Sequence, residues 1–291
     1  MPWPTVLAGS LQYCPEDRRT STDGDTRVSR ADGNTWASSP PNLDGVKGAV
    51  AWERFLNISG PVTFVQVGAH EGNVGDAMWP YATHYKHWRG LLVEPTAVSF
   101  TKLCNNYRPH ARRIRCVKAA VSDFAGVAKM QIMRNGCPSG QCNHLLHTRD
   151  NVKWHNSWAR TKEMEKVPVI TLASVWEELR AAFGASAAVD LLVVDVEGIE
   201  ERLLGSELPS PRPHLVMFEH KHLHQQAKQH INASLTAQGY EFVGGVAGGS
   251  GGVVDVKRGH GDWLYAQTNV AKSHMAAQPQ GSTRDTKGFE L

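Results

Sequence analysis

The stretch that decides the fold class is Asp190–Glu200, DLLVVDVEGIE, taken together with Phe64–Gly72, FVQVGAHEG, far upstream of it. Both are apolar runs of β-type residues that stop abruptly at polar residues and glycine. This pattern is typical of buried parallel strands whose carboxyl ends open onto a ligand crevice. Between them lies a third run, Gly90–Pro95, GLLVEP, which ends in a single acid. The three runs predict a nucleotide-type cofactor held by a glycine loop and a carboxylate.

Composition limits the classes of partner. The net charge of +3 is mild for 291 residues, so we predict neither a nucleic-acid nor a membrane partner. No run reaches the roughly 18 apolar residues of a membrane helix, and the N-terminus lacks the basic start of a secretory signal. The five cysteines suit reduced thiols better than a disulfide framework. We therefore predict a cytoplasmic protein, and no pattern indicates its oligomeric state.

The chain divides into three parts. Residues 1–45 and 269–291 are rich in polar residues, glycine and proline and predict a disordered arm and tail around a domain at 46–268. Within the domain we predict strands at 63–69, 90–94, 114–121, 190–195, 214–218, 240–243 and 262–266, with an additional strand at 127–133. Helical patterns separate most of them, but the last two are joined by a glycine-rich turn. This order predicts an α/β fold with a mostly parallel sheet, helices on both faces and one reversed strand in a C-terminal hairpin.

The loop after the first strand, Gly68-Ala69-His70-Glu71-Gly72, spaces its glycines as GxxxG. The dinucleotide fingerprint GxGxxG has a glycine where His70 stands, so a pyrophosphate fits poorly here. A cofactor without phosphates needs only a tight turn and a backbone surface. Taken alone, the loop is explained equally well as an ordinary turn between a strand and a helix.

Acids at two further strand ends strengthen the cofactor hypothesis. Glu94 can accept hydrogen bonds from both ribose hydroxyls, although it can also interact with the dipole of the next helix. The order of loop and acid favours the ribose role. At the end of the third strand, Ser122 and Asp123 follow; Asp123 can meet an adenine amino group or can begin a turn with Gly126.

Five segments carry a resemblance to a known family: FVQVGAHEGNVGD, WRGLLVEP, AAVSD, VDLLVVDVEG and FEHKHL. They resemble the successive motifs of FkbM-type methyltransferases over about residues 60–267. That family uses S-adenosylmethionine on a seven-stranded Rossmann-like fold. The resemblance implies that Gly68 and Gly72 bind the methionine side of the cofactor, Glu94 the ribose and Asp123 the adenine. We add Ala69, His70, Ser122 and Asp195 to this predicted set.

The chain departs from the family pattern at two positions of the first motif. Gln66 stands where the family often has aspartate, and His70 where asparagine is common. Both substitutions keep a polar group in place, so S-adenosylmethionine remains the predicted cofactor.

Methyl transfer depends mainly on alignment of the reacting groups, and a hydroxyl acceptor also has to lose a proton to a base. The candidate bases follow the fourth and fifth strands: Asp195, Glu197, Glu219, His220 and His222. We place Asp195 nearest the methyl group, with His220 better matched to neutral pH and Glu219 completing the catalytic set. Glu197 can instead cap the next helix, and Glu200 and Glu201 are interpreted as a solvated helix face.

Two further hypotheses concern metals and the acceptor. The alternating His220, His222 and His224 beside Glu219 would suit a metal-assisted methyltransferase, but surface histidine runs are more common, and we predict no metal. Residues 135–166 interrupt the α/β pattern as an insertion that can serve as a lid. There Trp154 and Trp158 are candidate substrate contacts, and Cys137 and Cys142 are free thiols in preference to zinc ligands.

The sequence thus predicts an S-adenosylmethionine-dependent O-methyltransferase acting on a hydroxyl of a small molecule or sugar. Two alternatives stay open. One is a nicotinamide-dependent oxidoreductase, against which the missing second glycine counts. The other is a non-catalytic module of the same fold, against which the retained Gly68, Gly72, Glu94 and Asp195 count.

Overall fold

The computed structural model describes residues 11–15, 55–57, 60–73, 76, 78–133, 144–145, 162–221, 223–246 and 262–270. Its strands are β1 (Gln12–Tyr13), β2 (Val62–Val67), β3 (Trp88–Val93), β4 (Ile114–Lys118), β5 (Ala120–Val121), β6 (Gly126–Met133), β7 (His144–Leu145), β8 (Lys162–Ile170), β9 (Leu191–Val194), β10 (Leu215–Glu219), β11 (Tyr240–Val246) and β12 (Asp262–Gln267). Its helices are α1 (Trp79–His84), α2 (Ala97–Tyr107), α3 (Leu172–Phe183), α4 (Glu200–Leu204) and α5 (Gln225–Ala237), with a 3-10 turn at Arg108–His110.

The main sheet has the strand order β1-β4-β3-β2-β9-β10-β12-β11. Strands β4, β3, β2, β9 and β10 run parallel, whereas β12 is antiparallel to both of its neighbours. Because β12 is reversed, its first residue, Asp262, lies at the carboxyl edge of the parallel strands, in register with Glu219. The predicted α/β fold is confirmed, and the described sheet has eight strands rather than seven because β1 joins it.

Strand β1 corrects two expectations. Residues 11–15 belong to the segment predicted to be a disordered arm, yet Gln12 and Tyr13 pair with Lys118 and Val117 at the edge of the sheet. Cys14 forms a disulfide with Cys104 of α2, so the prediction of reduced thiols is wrong for this pair. Two cysteines 90 residues apart meet only because β1 is threaded along β4, which local sequence patterns do not reveal. The rest of the arm and the tail beyond residue 270 lie outside the described residues.

Residues between β4 and α3 form a second sheet, with the strand order β5-β8-β6-β7. The strand predicted at 114–121 divides at Ala119, so that β4 stays in the main sheet and β5 enters the second one. Strand β8 pairs antiparallel with β6 along residues 162–169, and therefore the last residues of the predicted insertion form regular structure. Apart from His144–Leu145, the remainder of the insertion lies outside the described residues, including Cys137, Cys142, Trp154 and Trp158.

The parallel strands are buried on both faces, as their continuous apolar sequences predict. All residues of β2, β9 and β10 are buried. One core forms with α3 and α5, and the other with α1 and α2. Helix α3 illustrates why these segments are helical: Leu172, Val175, Trp176 and Leu179 form one buried stripe, and Thr171 accepts a hydrogen bond from the Ser174 amide at its start. None of the described helices has the length and hydropathy needed to cross a bilayer.

Candidate active site

The loop between β2 and α1 turns sharply over the end of β3. The amides of Gly68 and Ala69 both donate to the carbonyl oxygen of Val93, at 2.9 and 3.1 Å. Gly68 has φ of 83°, and a Cβ on it would overlap the carbonyl oxygen of Asp195. Glycine is therefore required here because the strand ends of β2 and β9 touch. The GxxxG spacing indicated a tight turn at Gly68, but it did not indicate the contact with Asp195 that excludes a side chain.

Helix α2 supports the same loop from behind. The Asn106 side-chain amide donates to the backbone carbonyl of Glu71 at 2.8 Å, and Lys102 forms an ion pair with the Glu71 carboxylate. A Cβ on Gly72 would overlap the side chain of Leu103. The position of the loop thus depends on the position of α2.

Glu94, at the end of β3, is buried and joins the loop to the start of α2. One carboxylate oxygen accepts from the backbone amide and hydroxyl of Thr96, at 3.0 and 2.6 Å, and the other accepts from the His70 amide at 3.0 Å. Burial raises the pKa of Glu94, and these hydrogen bonds oppose the shift. Thr96 stands at the N-cap of α2, but its hydroxyl donates to Glu94 and makes no capping bond to a helix amide.

Glu165 performs the capping that Thr96 does not. Its carboxylate accepts from the Ala97 amide at 3.1 and 3.2 Å and pairs with Lys118 at 3.2 Å. Glu165 lies within the predicted insertion 135–166, where no sequence pattern indicates a role for it. Only the pairing of β8 with β6 brings it to the start of α2.

Gln66 provides a test of whether the cleft suits a cofactor with an amino-acid end. Its side-chain NH2 donates to Asp76 at 3.1 Å, while its side-chain oxygen is buried without a hydrogen-bond partner among the described residues. Asp76 in turn accepts from the amides of Met78 and Trp79 at the start of α1, the short helix predicted there. A buried acceptor without a donor is costly unless a ligand supplies one. The donor and acceptor set therefore fits a ligand carrying ribose hydroxyls and an ammonium group.

Ser122 and Asp123 lie at the end of β5. The Ser122 hydroxyl donates to Asp123 at 2.9 Å, and Asp123 faces Arg202 of α4 at 3.6 Å. Half of the Asp123 side chain is exposed, so it remains accessible to a ligand.

The ends of β9 and β10 bring three predicted residues together. Asp195, Glu197 and Glu219 each offer a carboxylate oxygen within 4.8 Å of the others. Glu197 and Glu219 are buried, whereas Asp195 is accessible to solvent. Lys221 forms an ion pair with Glu219. This concentration of negative charge distinguishes the ends of β9 and β10 from the glycine loop, residues 68–72.

The surroundings of Asp195 and of Asp262, which lies in register with Glu219, raise the pKa values of these two carboxyl groups. Protein atoms around Asp195 reduce the hydration of its charge, and the charges of Glu219 and Glu197 add to this effect, so its pKa lies well above the ordinary range. Burial and then Glu219 raise the pKa of Asp262 to about 7, although Lys221 opposes the shift. Carboxyl groups of this kind exchange protons much closer to neutral pH than ordinary ones do.

Glu200 corrects the interpretation of a solvated helix face. Its side chain is buried and accepts from the amides of Val196 and Gly198, each at 3.0 Å. Burial raises its pKa to about 7. Glu200 therefore holds the loop that carries Glu197, while α4 has no side-chain hydrogen bond at its N-cap, Ile199. The sequence feature that could have indicated this role is the position of Glu200 in the first turn of a helix that closely follows a strand.

The histidines predicted as candidate bases or ligands have separate surroundings. His220 is buried with its ring centroid 4.6 Å from that of Trp263, and His224 caps α5 by accepting from the Ala227 amide at 3.1 Å. His222 lies outside the described residues. Among the described residues, the group able to hold a divalent cation is the cluster of Asp195, Glu197 and Glu219. Ca²⁺ binds oxygen ligands at about 2.3–2.6 Å, so two oxygens on opposite sides of the ion lie roughly 5 Å apart. The absence of a metal stays a prediction.

Comparisons with known proteins give one family and several structural neighbours. The family model described as "Methyltransferase FkbM domain" matches residues 66–242. A Methanococcus jannaschii fibrillarin pre-rRNA processing protein aligns over 87% of both chains with 10% identity and a TM-score of 0.43. Aeropyrum pernix fibrillarin with natively bound S-adenosyl-L-methionine aligns over 72% of this chain and 69% of its own, with 13% identity and a TM-score of 0.37. No protein of curated function matches the chain.

Proposed function

The chain belongs to the FkbM methyltransferase family, whose cofactor is S-adenosylmethionine, and on that premise we propose that it methylates a hydroxyl oxygen of a small molecule or sugar. The matched segment contains the glycine loop, Glu94, Asp123 and the acid cluster.

The cofactor is held on the loop side of the cleft. Glu94 receives a ribose hydroxyl on the carboxylate oxygen that accepts from the His70 amide, because each oxygen can accept two hydrogen bonds and the other already accepts two from Thr96. The buried side-chain oxygen of Gln66 accepts a hydrogen bond from the ammonium group of the methionine portion, which supplies the donor that this oxygen lacks among the described residues. Gly68 and Gly72 shape the loop between these two contacts, and Asp123 is the acceptor for the adenine amino group.

The observation that carries the proposed chemistry is the position of Asp195: its backbone carbonyl lies against Gly68 of the glycine loop, and its carboxylate has an oxygen within 4.8 Å of oxygens of Glu197 and Glu219. S-adenosylmethionine held by these residues would supply an electrophilic methyl group to the acceptor oxygen and would leave as S-adenosylhomocysteine. Asp195 takes up the proton that the hydroxyl loses. A carboxylate with a raised pKa is a stronger base than an ordinary aspartate, so it suits this role near neutral pH.

Glu219 and His220 do not exchange the proton themselves in this proposal. Glu219 is paired with Lys221, and its negative charge is the largest neighbouring contribution to the pKa of Asp195. His220 is buried against Trp263, which limits its contact with an acceptor. Asp195 is therefore the base, Glu219 tunes it, and His220 is a positioning residue.

The decisive experiment combines binding with product analysis. Calorimetry of the purified chain with S-adenosylmethionine should give micromolar affinity, about −8 kcal/mol, and no binding of NAD. A panel of sugars and small hydroxyl compounds is then incubated with methyl-labelled cofactor. A methyl ether that survives mild base supports the proposal, whereas a base-labile methyl ester or a methylated amine overturns the hydroxyl assignment. Binding of NAD alone would restore the oxidoreductase alternative.

A further inference from the structure

We propose that the Cys14–Cys104 disulfide is a redox-sensitive clasp that controls the affinity for S-adenosylmethionine. The N-terminal clasp consists of residues 11–15 together with this disulfide. Reduction of the disulfide releases residues 11–15 from the sheet edge and loosens α2, which supports the cofactor loop. The inference rests on the proposed use of loop 68–72 for the cofactor.

The first part of the clasp is a very short strand. β1 has two residues and pairs only with Lys118 and Val117. Its other described contacts come from Tyr13, whose hydroxyl donates to Glu178 of α3 at 3.1 Å and whose ring lies 5.5 Å from the Arg115 guanidinium carbon. Strands this short contribute little pairing energy by themselves. The covalent bond is therefore the strongest restraint among the described contacts of this segment.

The second part is the position of Cys104 within α2. Cys104 lies between Lys102 and Asn106, the two residues that bind Glu71 in the cofactor loop. The helix also presents Leu103 to Gly72. One helical turn thus carries the disulfide and three contacts to the loop, so a displacement of this turn moves the loop with it.

The N-terminal clasp also packs against both faces of the main sheet, at the edge formed by β1. Leu11 and Tyr13 pack against the core that contains α3, while Cys14 and Cys104 pack against the core that contains α2. The bond joins positions 90 residues apart, and closing so long a segment restrains the chain strongly. Losing the bond frees β1 from both faces at once.

The redox step balances with a dithiol as the reductant. Two electrons and two protons pass from the dithiol to the Cys14–Cys104 bond, which becomes two thiols while the dithiol closes to its own disulfide. Cys116, the one free cysteine among the described residues, is buried, and burial raises its pKa to about 12. Because the thiolate is the attacking species, Cys116 does not exchange with the clasp.

The test is the affinity of the full chain for S-adenosylmethionine, measured by calorimetry before and after treatment with dithiothreitol. We expect reduction to weaken binding about tenfold and reoxidation to restore it. The Cys14→Ser/Cys104→Ser variant should bind like the reduced chain and should not respond to dithiothreitol. Cys116→Ala is the matched control and should keep the full redox response. Equal affinity of the oxidised and reduced chains would overturn the proposal.

Hydrogen exchange separates this inference from the proposed function. In the reduced chain, amides of residues 97–107 and 68–73 should exchange faster, while those of α5 should not change. If the folded chain binds no S-adenosylmethionine in either state, the proposed function fails, and the exchange rates still decide whether the clasp controls α2. Unchanged exchange in α2 on reduction would refute the clasp. Should the double serine variant not fold, reversible reduction of the natural chain provides the same comparison.

Discussion

The carboxyl edge of the main sheet carries two regions that differ in how their polar groups are satisfied. On the cofactor side, which includes the loop 68–72 and Glu94, backbone amides and a hydroxyl point at one buried carboxylate. On the acid side, which includes Asp195, Glu219 and Asp262, carboxylates lie close together and Lys221 forms an ion pair with Glu219. The first region is organised by hydrogen bonds and the second by charge repulsion.

Under the proposed function, the two regions have different roles along the same sheet edge. A carboxylate that accepts several hydrogen bonds is fixed in place, which favours binding a neutral, hydroxyl-rich ligand group. Carboxylates that crowd together have raised pKa values and exchange protons more readily near neutral pH. Four experiments test whether the two regions act as distinct parts.

The largest effect is expected where the two regions touch, at Gly68. Gly68→Ala would place a methyl group on the carbonyl oxygen of Asp195, so we expect a loss of at least about 4 kcal/mol in the free energy of unfolding, measured in urea. Gly239→Ala is the matched control, because Gly239 has a similar φ of 87° but open space around it. That variant should lose only about 1–2 kcal/mol. Equal losses in the two variants would show that the contact between the regions is unimportant.

The acid side is tested by Asp195→Asn. Removing the base should lower turnover by about 10²–10⁴-fold while changing the affinity for S-adenosylmethionine by less than about threefold. In the natural enzyme, activity should fall as pH decreases through an apparent pKa above the ordinary aspartate range, because protonated Asp195 cannot accept a proton. Glu207→Gln, at an exposed acid outside the cleft, should leave turnover unchanged. Equal losses in turnover and cofactor affinity would contradict the assignment of Asp195 to the chemical step.

The cofactor side is tested by Glu94→Gln. The amide keeps the shape but loses charge and one acceptor, so cofactor affinity should fall about 10–100-fold, or about 1.4–2.8 kcal/mol. Turnover at saturating cofactor should change little. Glu165→Gln is the matched control, since Glu165 also accepts an amide at the start of α2 but does not contact the loop. If the two variants weaken binding equally, Glu94 acts only by supporting α2.

The smallest effect concerns pH and stability, through Glu200. Its pKa of about 7 in the folded chain lies above the ordinary value of 4.5, so folding favours the protonated form. The stabilisation is present at low pH and is lost as the pH rises towards and through 7, by about 2 kcal/mol between pH 5 and 7. Glu200→Gln mimics the protonated group and should flatten the stability profile over that interval in urea titrations. A profile with the same slope in the variant would contradict the buried position of Glu200.

The residues that sequence patterns located best are those on adjacent parallel strands. Because parallel strands end at the same sheet edge, the positions of Asp195 and Glu219 after two apolar runs were enough to place them on one edge, and the pairing of β9 with β10 then brings them together. Asp262 was not predicted to join them, since its place depends on β12 running in the opposite direction. Glu200 was misinterpreted because exposure cannot be inferred from a short helix whose partner surface is unknown.

The amino-acid sequence by itself determined the α/β class, the succession of the buried strands along the chain and the family, because these follow from apolar periodicity and from motifs within single segments. Tertiary structure alone decided that Gly68 packs on Asp195, that Glu165 caps α2, and that Cys14 bonds to Cys104. Each of these contacts joins residues far apart in the chain. Their pairing depends on how the sheets assemble, and no local pattern carries that information.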